Sequence, residues 1–382
     1  MLPERASVVV VGGGVMGVST AFHLAEAGVQ DVLLLERDAL GAGSTCKAAG
    51  GVRAQFSDEI NVRLGARSLD LLGRFGERPG QEIDLHRVGY LFLLSREEDV
   101  RRSEAGVAMQ NALGVPSRML DVDEALRLSP LVEPDGLLAA TFSPDDGHCT
   151  PESVVLGYAS AARRLGARLL TGVHAREVLV EGGEVQAVVT DQGTVRTGTV
   201  VCAAGAWSGA LGASAGVDLP VVPLRRQVVV TGPVAGLPAD LPMTIDAATT
   251  LYFHREGRGL LVGMSDPEEQ PGFRLDRDDA WLPRLADAVE HRAPGLLDAG
   301  IAHGWAGLYE VTPDHNALVG EAPDVSRFLY ATGFSGHGFL MGPAIGEVVR
   351  DLVLGREPFV DVSPLDARRF ATGTARAETW VV

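Results

Sequence analysis

The chain is poor in cysteine: Cys46, Cys149 and Cys202 are its only three in 382 residues. None belongs to a CxxC pair, and no Cys/His cluster has the spacing of a zinc site. A disulfide framework and a metal centre are therefore not expected, and a reducing compartment fits. Lysine is scarcer still. Lys47 is the only one; every other basic side chain is arginine. Compositional bias explains most of that, yet a lone lysine inside a glycine-rich loop calls for a functional test. Positive charge is also short overall. The net charge is −17, which makes nucleic acid and anionic membrane surfaces poor partners. Long apolar runs are missing. The first, Ser7 to Val11, is too short for a signal-peptide core, and no other run could span a bilayer. A soluble, cytoplasmic protein is expected.

What is present suits a folded enzyme-sized chain. Hydrophobic residues make up 46% and charged residues 22%, enough for a large core and too regular for disorder. The length fits two domains. Periodicity predicts a strand over Ser7–Val11, a helix ending at Gly28 and a strand over Val32–Leu35. Helices follow over Asn61–Phe75 and Glu98–Leu113, with strand material over Glu82–Leu94. A helix over Glu152–Leu165 precedes strands near Leu169, Val185–Val189 and Val200–Ala203, with turn chemistry at Asp191–Gly193. β-rich stretches over Val221–Val230 and Thr250–Met264 lead to a helix over Asp278–Arg292 that aligns Trp281, Leu285 and Val289. A strand over Phe328–Thr332 and a helix over Pro343–Leu354 close the chain. The βαβ material thus comes in three separated blocks with β-rich material between them. This implies two interleaved domains: residues 1–80, 145–217 and 308–382 in one, 81–144 and 218–307 in the other.

Gly12, Gly14 and Gly17 form GxGxxG at a strand-to-helix junction. The first glycine permits the turn, the second lets backbone approach a pyrophosphate, and the third lets helix and strand pack closely. The helix N-terminus supplies free N–H groups to the phosphates. Glu36 lies 19 residues after Gly17, where a carboxylate accepts hydrogen bonds from ribose hydroxyls. Its acidity favours FAD or NAD over a phosphorylated ribose. Three more glycine-rich stretches favour FAD. They are Gly41–Gly51, Val200–Trp207 with its turn at Ala204 and Gly205, and Gly333–Gly338 with Ser335 inside it. An extended cofactor threading the protein would meet all of them.

The motifs VVVVGGGVMG, LLLERDALGAGST, AAGGVR, VVCAAGAW, WAGLYEVTPD and GFSGHGF together resemble the D-amino-acid-oxidase-like flavoproteins. The likeness is strongest to the sarcosine oxidase β-subunit and proline dehydrogenase β-subunit branch, and it covers nearly the whole length. It implies an α/β (α+β overall) fold, with a Rossmann-type FAD-binding domain interleaved with a substrate domain built on a large mixed β-sheet. It implies oxidation of the C–N bond of an amino acid or N-alkyl amino acid to an imine. By this resemblance Gly12, Gly14, Val15, Met16 and Gly17 bind pyrophosphate, and Glu36 and Arg37 hold the adenosine ribose. Ser44, Thr45, Ala49, Gly50 and Gly51 line the ribityl chain and isoalloxazine, and Ala175 meets the adenine through its backbone. Gly205 and Trp207 close over the nucleotide, while Gly336, His337, Gly338, Phe339 and Leu340 lie by the flavin pyrimidine.

Departures from the family pattern narrow the expectation. Monomeric sarcosine oxidases attach the flavin to a cysteine two residues before a tyrosine; that place is Gly307, before Tyr309. No histidine occupies the Ser44–Ala49 loop, where some relatives attach FAD, and Cys46 is the one nearby nucleophile. FAD held without a covalent bond is expected. Leu261 stands where those oxidases carry an oxygen-activating lysine, and Leu340 where they carry a second carboxylate-binding lysine; Lys47 is a candidate replacement for the oxygen site. Arg53 is expected to pair with a substrate carboxylate, Tyr309 to wall the substrate side of the flavin, and His337 to contact the flavin rather than act as base. Arg225 and Arg226 are expected to satisfy neighbouring carboxylates, and Thr312 and Asp314 to brace their loop. The expected substrate is a small amine or amino acid: sarcosine, another N-methyl amino acid or proline. A glycine or D-amino-acid oxidase, a 2-hydroxy acid oxidase and a flavin-bearing subunit of a larger complex are the alternatives. Oxygen or another acceptor takes the electrons, and partner subunits are compatible with this branch.

Overall fold

The computed structural model describes residues 1–380. A six-stranded sheet carries the glycine motif. Its strands run in the order Leu318–Glu321, Phe328–Thr332, Val200–Cys202, Val8–Val11, Val32–Glu36 and Arg168–Thr171. All neighbours are parallel except the edge hairpin of the first two. Strands buried on both faces read as unbroken apolar runs, which is why VVVV and VLLL show no polar alternation. Val8, Val10, Val32 and Leu34 face one core; Val9, Val11, Leu33 and Leu35 face the other.

Helices Val15–Glu26, Pro151–Arg164 and Gly338–Val353 cover one face of this sheet. A three-stranded antiparallel sheet, Ala175–Glu181, Glu184–Thr190 and Gly193–Arg196, covers the other. The first and last of these helices touch through glycine. A Cβ on Gly342 would lie 2.6 Å from Val15 Cγ2, and one on Gly346 would lie 2.1 Å from Ser19 Oγ. That close approach brings the N-termini of both helices to one cavity.

An eight-stranded mixed sheet forms the second layer system. Its order is Ile301–Val311, Val222–Thr231, Gly259–Gly263, Tyr252–Glu256, Met243–Asp246, Tyr90–Leu94, Ala139–Ser143 and Arg118–Leu120. Only Met243–Asp246 and Tyr90–Leu94 pair in parallel. Side chains alternate between faces with period two. Leu91, Leu93, Val229, Phe253 and Val262 pack under helix Leu282–Arg292, while Tyr90, Phe92, Val228, Met243, Ile245 and Tyr252 turn the other way. That second face looks toward the nucleotide sheet.

Several expected boundaries move. The strand over Glu82–Leu94 exists only at Tyr90–Leu94, because Asp84 (φ 53) and Gly89 (φ 85) leave extended geometry. The helix over Asp278–Arg292 begins at Leu282, although Trp281, Leu285 and Val289 are buried as expected. The last long helix begins at Gly338, so Pro343 lies inside it and leaves the Phe339 carbonyl without its helical donor. Several stretches carry elements not read from sequence, the strands Met243–Asp246 and Leu318–Glu321 among them. Strand Ala175–Glu181 is a further one, and the long strand Ile301–Val311 is another. The latter holds Gly304 and Gly307, residues that weaken a strand signal. Between them in character is Arg118–Ser143, where a short helix Val122–Leu128 is held by a capping box of Asp121 and Glu124.

Candidate functional site

One cavity runs from the glycine motif to the inner face of the eight-stranded sheet. It measures about 390 Å³, within the range of small-molecule and cofactor sites. At the nucleotide end the three glycines do different work. Gly12 has φ 114, and a Cβ there would lie 2.1 Å from Ala203 O. A Cβ on Gly17 would lie 1.8 Å from Gly12 O, so Gly17 is fixed by helix–strand packing and does not line the cavity. Gly14 does line it, and its Cβ would meet only Thr45 Oγ1, at 3.1 Å. That Thr45 hydroxyl accepts the Val15 N–H at 3.0 Å. The Glu36 carboxylate accepts the Gly13 N–H at 2.6 Å and the Asp38 N–H at 2.7 Å. Arg37 lies 3.8 Å over the Trp207 ring, and Trp207 stacks in turn on Phe273 at 5.5 Å. Ala175, Ala204 and Gly205 complete this end.

The helices starting at Val15 and Gly338 both open onto the cavity, and neither has an acid in its first turn. Their free N–H groups and positive dipole ends suit a pyrophosphate and a developing flavin anion. With an acid at the ribose position and an open cradle at Gly14, the residues present fit FAD.

Ser44, Thr45, Lys47, Ala49, Gly50 and Gly51 line the middle. Gly50 takes φ 78 where a Cβ would lie 2.4 Å from Cys149 O, and the Tyr90 hydroxyl sits against Gly51. Lys47 folds its stem over Gly307, whose Cβ would come within 2.6 Å of Lys47 Cβ. Trp305 Nε1 donates to Lys47 O at 2.9 Å. Cys46 turns away: its sulfur packs on Gly41, and burial pushes its thiol up to about 11.

At the far end Tyr90, Tyr252 and Tyr309 wall the cavity with Val228, Met243 and Ile245. His337, Gly338, Phe339 and Leu340 face them across it, with Gly336 against the Tyr309 ring. His337 accepts from Arg53 Nη2 at 3.1 Å and meets the edge of Phe56 at 5.1 Å. Burial, then the Arg53 charge, lowers its pKa to about 3, so the imidazole is neutral near pH 7. Gly333 and Ser335 do not reach the cavity. Gly333 N donates to Glu310 Oε2 at 3.1 Å, and Ser335 Oγ accepts from Thr312 N at 3.2 Å; both shape the turn that aims His337. Asp314 holds Arg369 through two hydrogen bonds of 2.7 and 2.9 Å, while Thr312 Oγ1 donates to Asn316 O at 2.7 Å.

The two arginines in the β-run part company. Arg225 meets Glu269 and Asp278. Arg226, expected to do likewise, has no carboxylate partner among the described residues; strand alternation turns it into the cavity, 5.2 Å over the Tyr309 ring. Arg53 also reaches the cavity, but it is 2% exposed and already donates to Gln55 O, Trp380 O and His337. Behind it Asp146, pushed up to about 7 by burial, accepts from Ala54 N and Gln55 Nε2. Tyr90, Arg226, Tyr252 and Glu310 are cavity residues that sequence reasoning missed. The period-two alternation around Arg225-Arg226-Gln227-Val228 could have separated the two arginines.

Among the described residues no group of His, Cys, Asp and Glu could hold a metal ion, and no helix is long and apolar enough to cross a membrane.

Comparison with known proteins agrees with this site. The chain is 31% identical over 380 residues to the 4-methylaminobutanoate oxidase (formaldehyde-forming) of Paenarthrobacter nicotinovorans, covering 97% of this chain and 46% of that protein. It is 32% identical over 396 residues to the mitochondrial dimethylglycine dehydrogenase of Rattus norvegicus, covering 98% and 46%. The chain thus spans less than half the length of these curated relatives. Among solved structures, L-proline dehydrogenase from P. horikoshii superimposes with a TM-score of 0.91 at 34% identity, covering 97% of this chain and 99% of that one. The sequence pattern of the DAO family, FAD dependent oxidoreductase, matches residues 7–352. With a dinucleotide cradle, two helix N-termini and a tyrosine-walled chamber on one cavity, the chain belongs to the DAO family of FAD-dependent oxidoreductases.

Proposed function

We propose that this chain oxidises the C–N bond of a small amine bearing a carboxylate, with a secondary amine such as an N-methyl amino acid or a proline-like imino acid preferred. The observation that carries the reading is the shared cavity. It joins the FAD cradle to a chamber walled by Tyr90, Tyr252 and Tyr309, which also receives cationic side chains. FAD, when bound, supplies the acceptor for the hydride that leaves a carbon bonded to the substrate nitrogen. The nitrogen lone pair closes the imine bond, so the amine must be unprotonated when it reacts. The carboxylates near His337 are engaged elsewhere, Glu378 by Ser57 and Asn61 and Glu310 by Thr332 and Gly333, and the cations lining the chamber are Arg53, Arg226 and Lys47. Their charge disfavours an ammonium ion and favours a free amine carrying a carboxylate. The tyrosine walls exclude water from the reacting carbon. The names of the relatives, an oxidase of 4-methylaminobutanoate and dehydrogenases of dimethylglycine and L-proline, support the same substrate class.

FAD is held here without a covalent bond: Gly307 offers no nucleophile, and Cys46 faces away with a thiol raised by burial. The FAD domain comprises residues 1–80, 145–217 and 312–382, and the substrate domain 81–144 and 218–311; the expected break at 307/308 moves because strand Ile301–Val311 pairs with Val222–Thr231 along its whole length. The three cysteines are all free thiols, which suits the cytoplasm. Anaerobic mixing of the yellow holoprotein with N-methylglycine, N,N-dimethylglycine, L-proline, glycine and a 2-hydroxy acid tests the proposal. Bleaching of the flavin by the secondary or tertiary amino acids is expected. Bleaching by the hydroxy acid alone would sink it.

A further inference from the structure

We propose that Arg226, and not Arg53, is the residue that grips the substrate carboxylate. The inference rests on the amine-acid reading above and assigns its anionic subsite.

Both arginines reach the cavity, so the question is which has donors to give. A guanidinium has five N–H groups, and a carboxylate is best held by two parallel ones. Arg53 is 2% exposed and its Nη1 and Nη2 are directed at Gln55 O, Trp380 O and His337 Nε2. Its ring contacts are equally confining: the guanidinium carbon lies 4.2 Å from the Phe56 ring centre and 5.4 Å from that of Phe92. Arg53 therefore ties the flavin loop to the C-terminal segment and to His337. Taking a ligand would strip buried carbonyls of their donor.

Arg226 is the opposite case. Its only protein hydrogen bond among the described residues is from Nη1 to the neighbouring Arg225 O at 3.2 Å. Its Nε is buried and unpartnered. The Nε–Nη2 edge is thus a vacant fork, and it belongs to a charged group that costs free energy to leave unpaired in a partly buried site. Neighbouring acids do not fill it, since Glu269 and Asp278 are taken by Arg225.

The surroundings fit an amino-acid anion. Arg226 pairs across the sheet with Gly307, and Leu224 pairs with Tyr309. Gly307 has no side chain to shield Arg226 from the cavity, and Lys47 lies over that same glycine. The Tyr309 ring lies under the guanidinium, and Tyr252 senses its charge, which opposes the upward shift that burial gives that phenol. A carboxylate on the fork would leave its amine-bearing carbon among Tyr252, Tyr309 and His337.

The test uses the FAD-loaded chain and pyrrole-2-carboxylate, a flat anion that cannot be oxidised as an amine, with its neutral amide as control. Perturbation of the flavin spectrum reports binding. Wild type should bind the acid well and the amide poorly. Arg226→Gln should weaken the acid by about 30-fold or more while leaving the amide unchanged. Arg226→Lys keeps the charge without the fork and should fall between. Equal binding of acid and amide by wild type overturns the assignment without any variant, as does unchanged acid binding by Arg226→Gln. If Arg226→Gln does not retain FAD, unchanged acid binding by Arg226→Lys overturns it instead. Loss of acid binding in a variant, with no amine able to bleach wild-type flavin, would retain the carboxylate site and reject amine oxidation. Bleaching by amines with unaltered acid binding in Arg226→Gln would do the reverse.

Discussion

Arg53 donates to His337 across 3.1 Å, joining the flavin loop to the turn before the last long helix. An arginine can only donate, so His337 Nε2 is an acceptor. The same contact discourages a second proton on the ring. The pKa of about 3 follows from burial first and Arg53 second.

A pH dependence follows from this. His337 should not titrate in the activity profile between pH 5 and 9, and kcat/KM should rise with pH toward the ionisation of the substrate amine alone. His337→Asn should keep that profile. Stability moves too. The folded pKa lies below the ordinary 6.5, so the unfolded chain binds the extra proton between those values. Stability is therefore full above about pH 6.5 and falls as pH drops toward 3, by at most about 1.4 kcal/mol per pH unit for this one group. Urea unfolding of His337→Asn across that window should show a shallower loss; an unchanged slope counts against a neutral His337.

Gly14 and Gly17 should fail differently. Gly17→Ala places a Cβ 1.8 Å from Gly12 O, a clash of backbone that should unfold the motif or cost several kcal/mol. Gly14→Ala meets only Thr45 Oγ1 inside the protein and should fold nearly as well as wild type. It should instead lose FAD affinity by about 100-fold, because the methyl stands where the pyrophosphate approaches. Thermal unfolding of the apoproteins and FAD titration separate the two.

Asp314 and Arg369 form a bidentate pair buried on both sides, 7% and 3% exposed. Asp314→Ala leaves a buried guanidinium without its anion and should cost about 3–5 kcal/mol, read by denaturant unfolding. Flavin reduction in the surviving folded fraction should be little altered, since neither side chain lines the cavity.

Lys47 is the only lysine, lines the cavity and has no ion-pair partner among the described residues. A fixed positive charge there lowers the cost of passing an electron to neutral oxygen. Lys47→Met should slow reoxidation of the reduced holoprotein by air by about 10-fold or more, while reduction by amine changes far less. Stopped-flow measurement of the two half-reactions decides; equal effects on both would assign Lys47 to substrate binding.

The sequence by itself determined the nucleotide half. VVVV, GxGxxG and the acid at Glu36 are legible because their apolar run, glycine spacing and helical periodicity lie within one short stretch of chain, although the fold closes them against distant backbone, Val9 beside Val200 and Gly12 beside Ala203. The later glycine turns extended that reading to FAD because each needs backbone to come close to something. Much of the substrate half was not legible. Strand Ile301–Val311 places Gly307 and Tyr309 opposite Arg226 and Leu224, residues more than 80 positions away, and only cross-strand register makes them neighbours. Arg225 and Arg226 look alike in sequence. Folding decided that one meets Glu269 and Asp278 while the other faces the cavity, because adjacent residues of a strand point to opposite faces. Arg53 shows the same limit from the other side. Its place in AAGGVR suggested a free cation near the flavin, yet the carbonyl of Gln55, two residues on, and that of Trp380, which the fold brings from the far end of the chain, both occupy it.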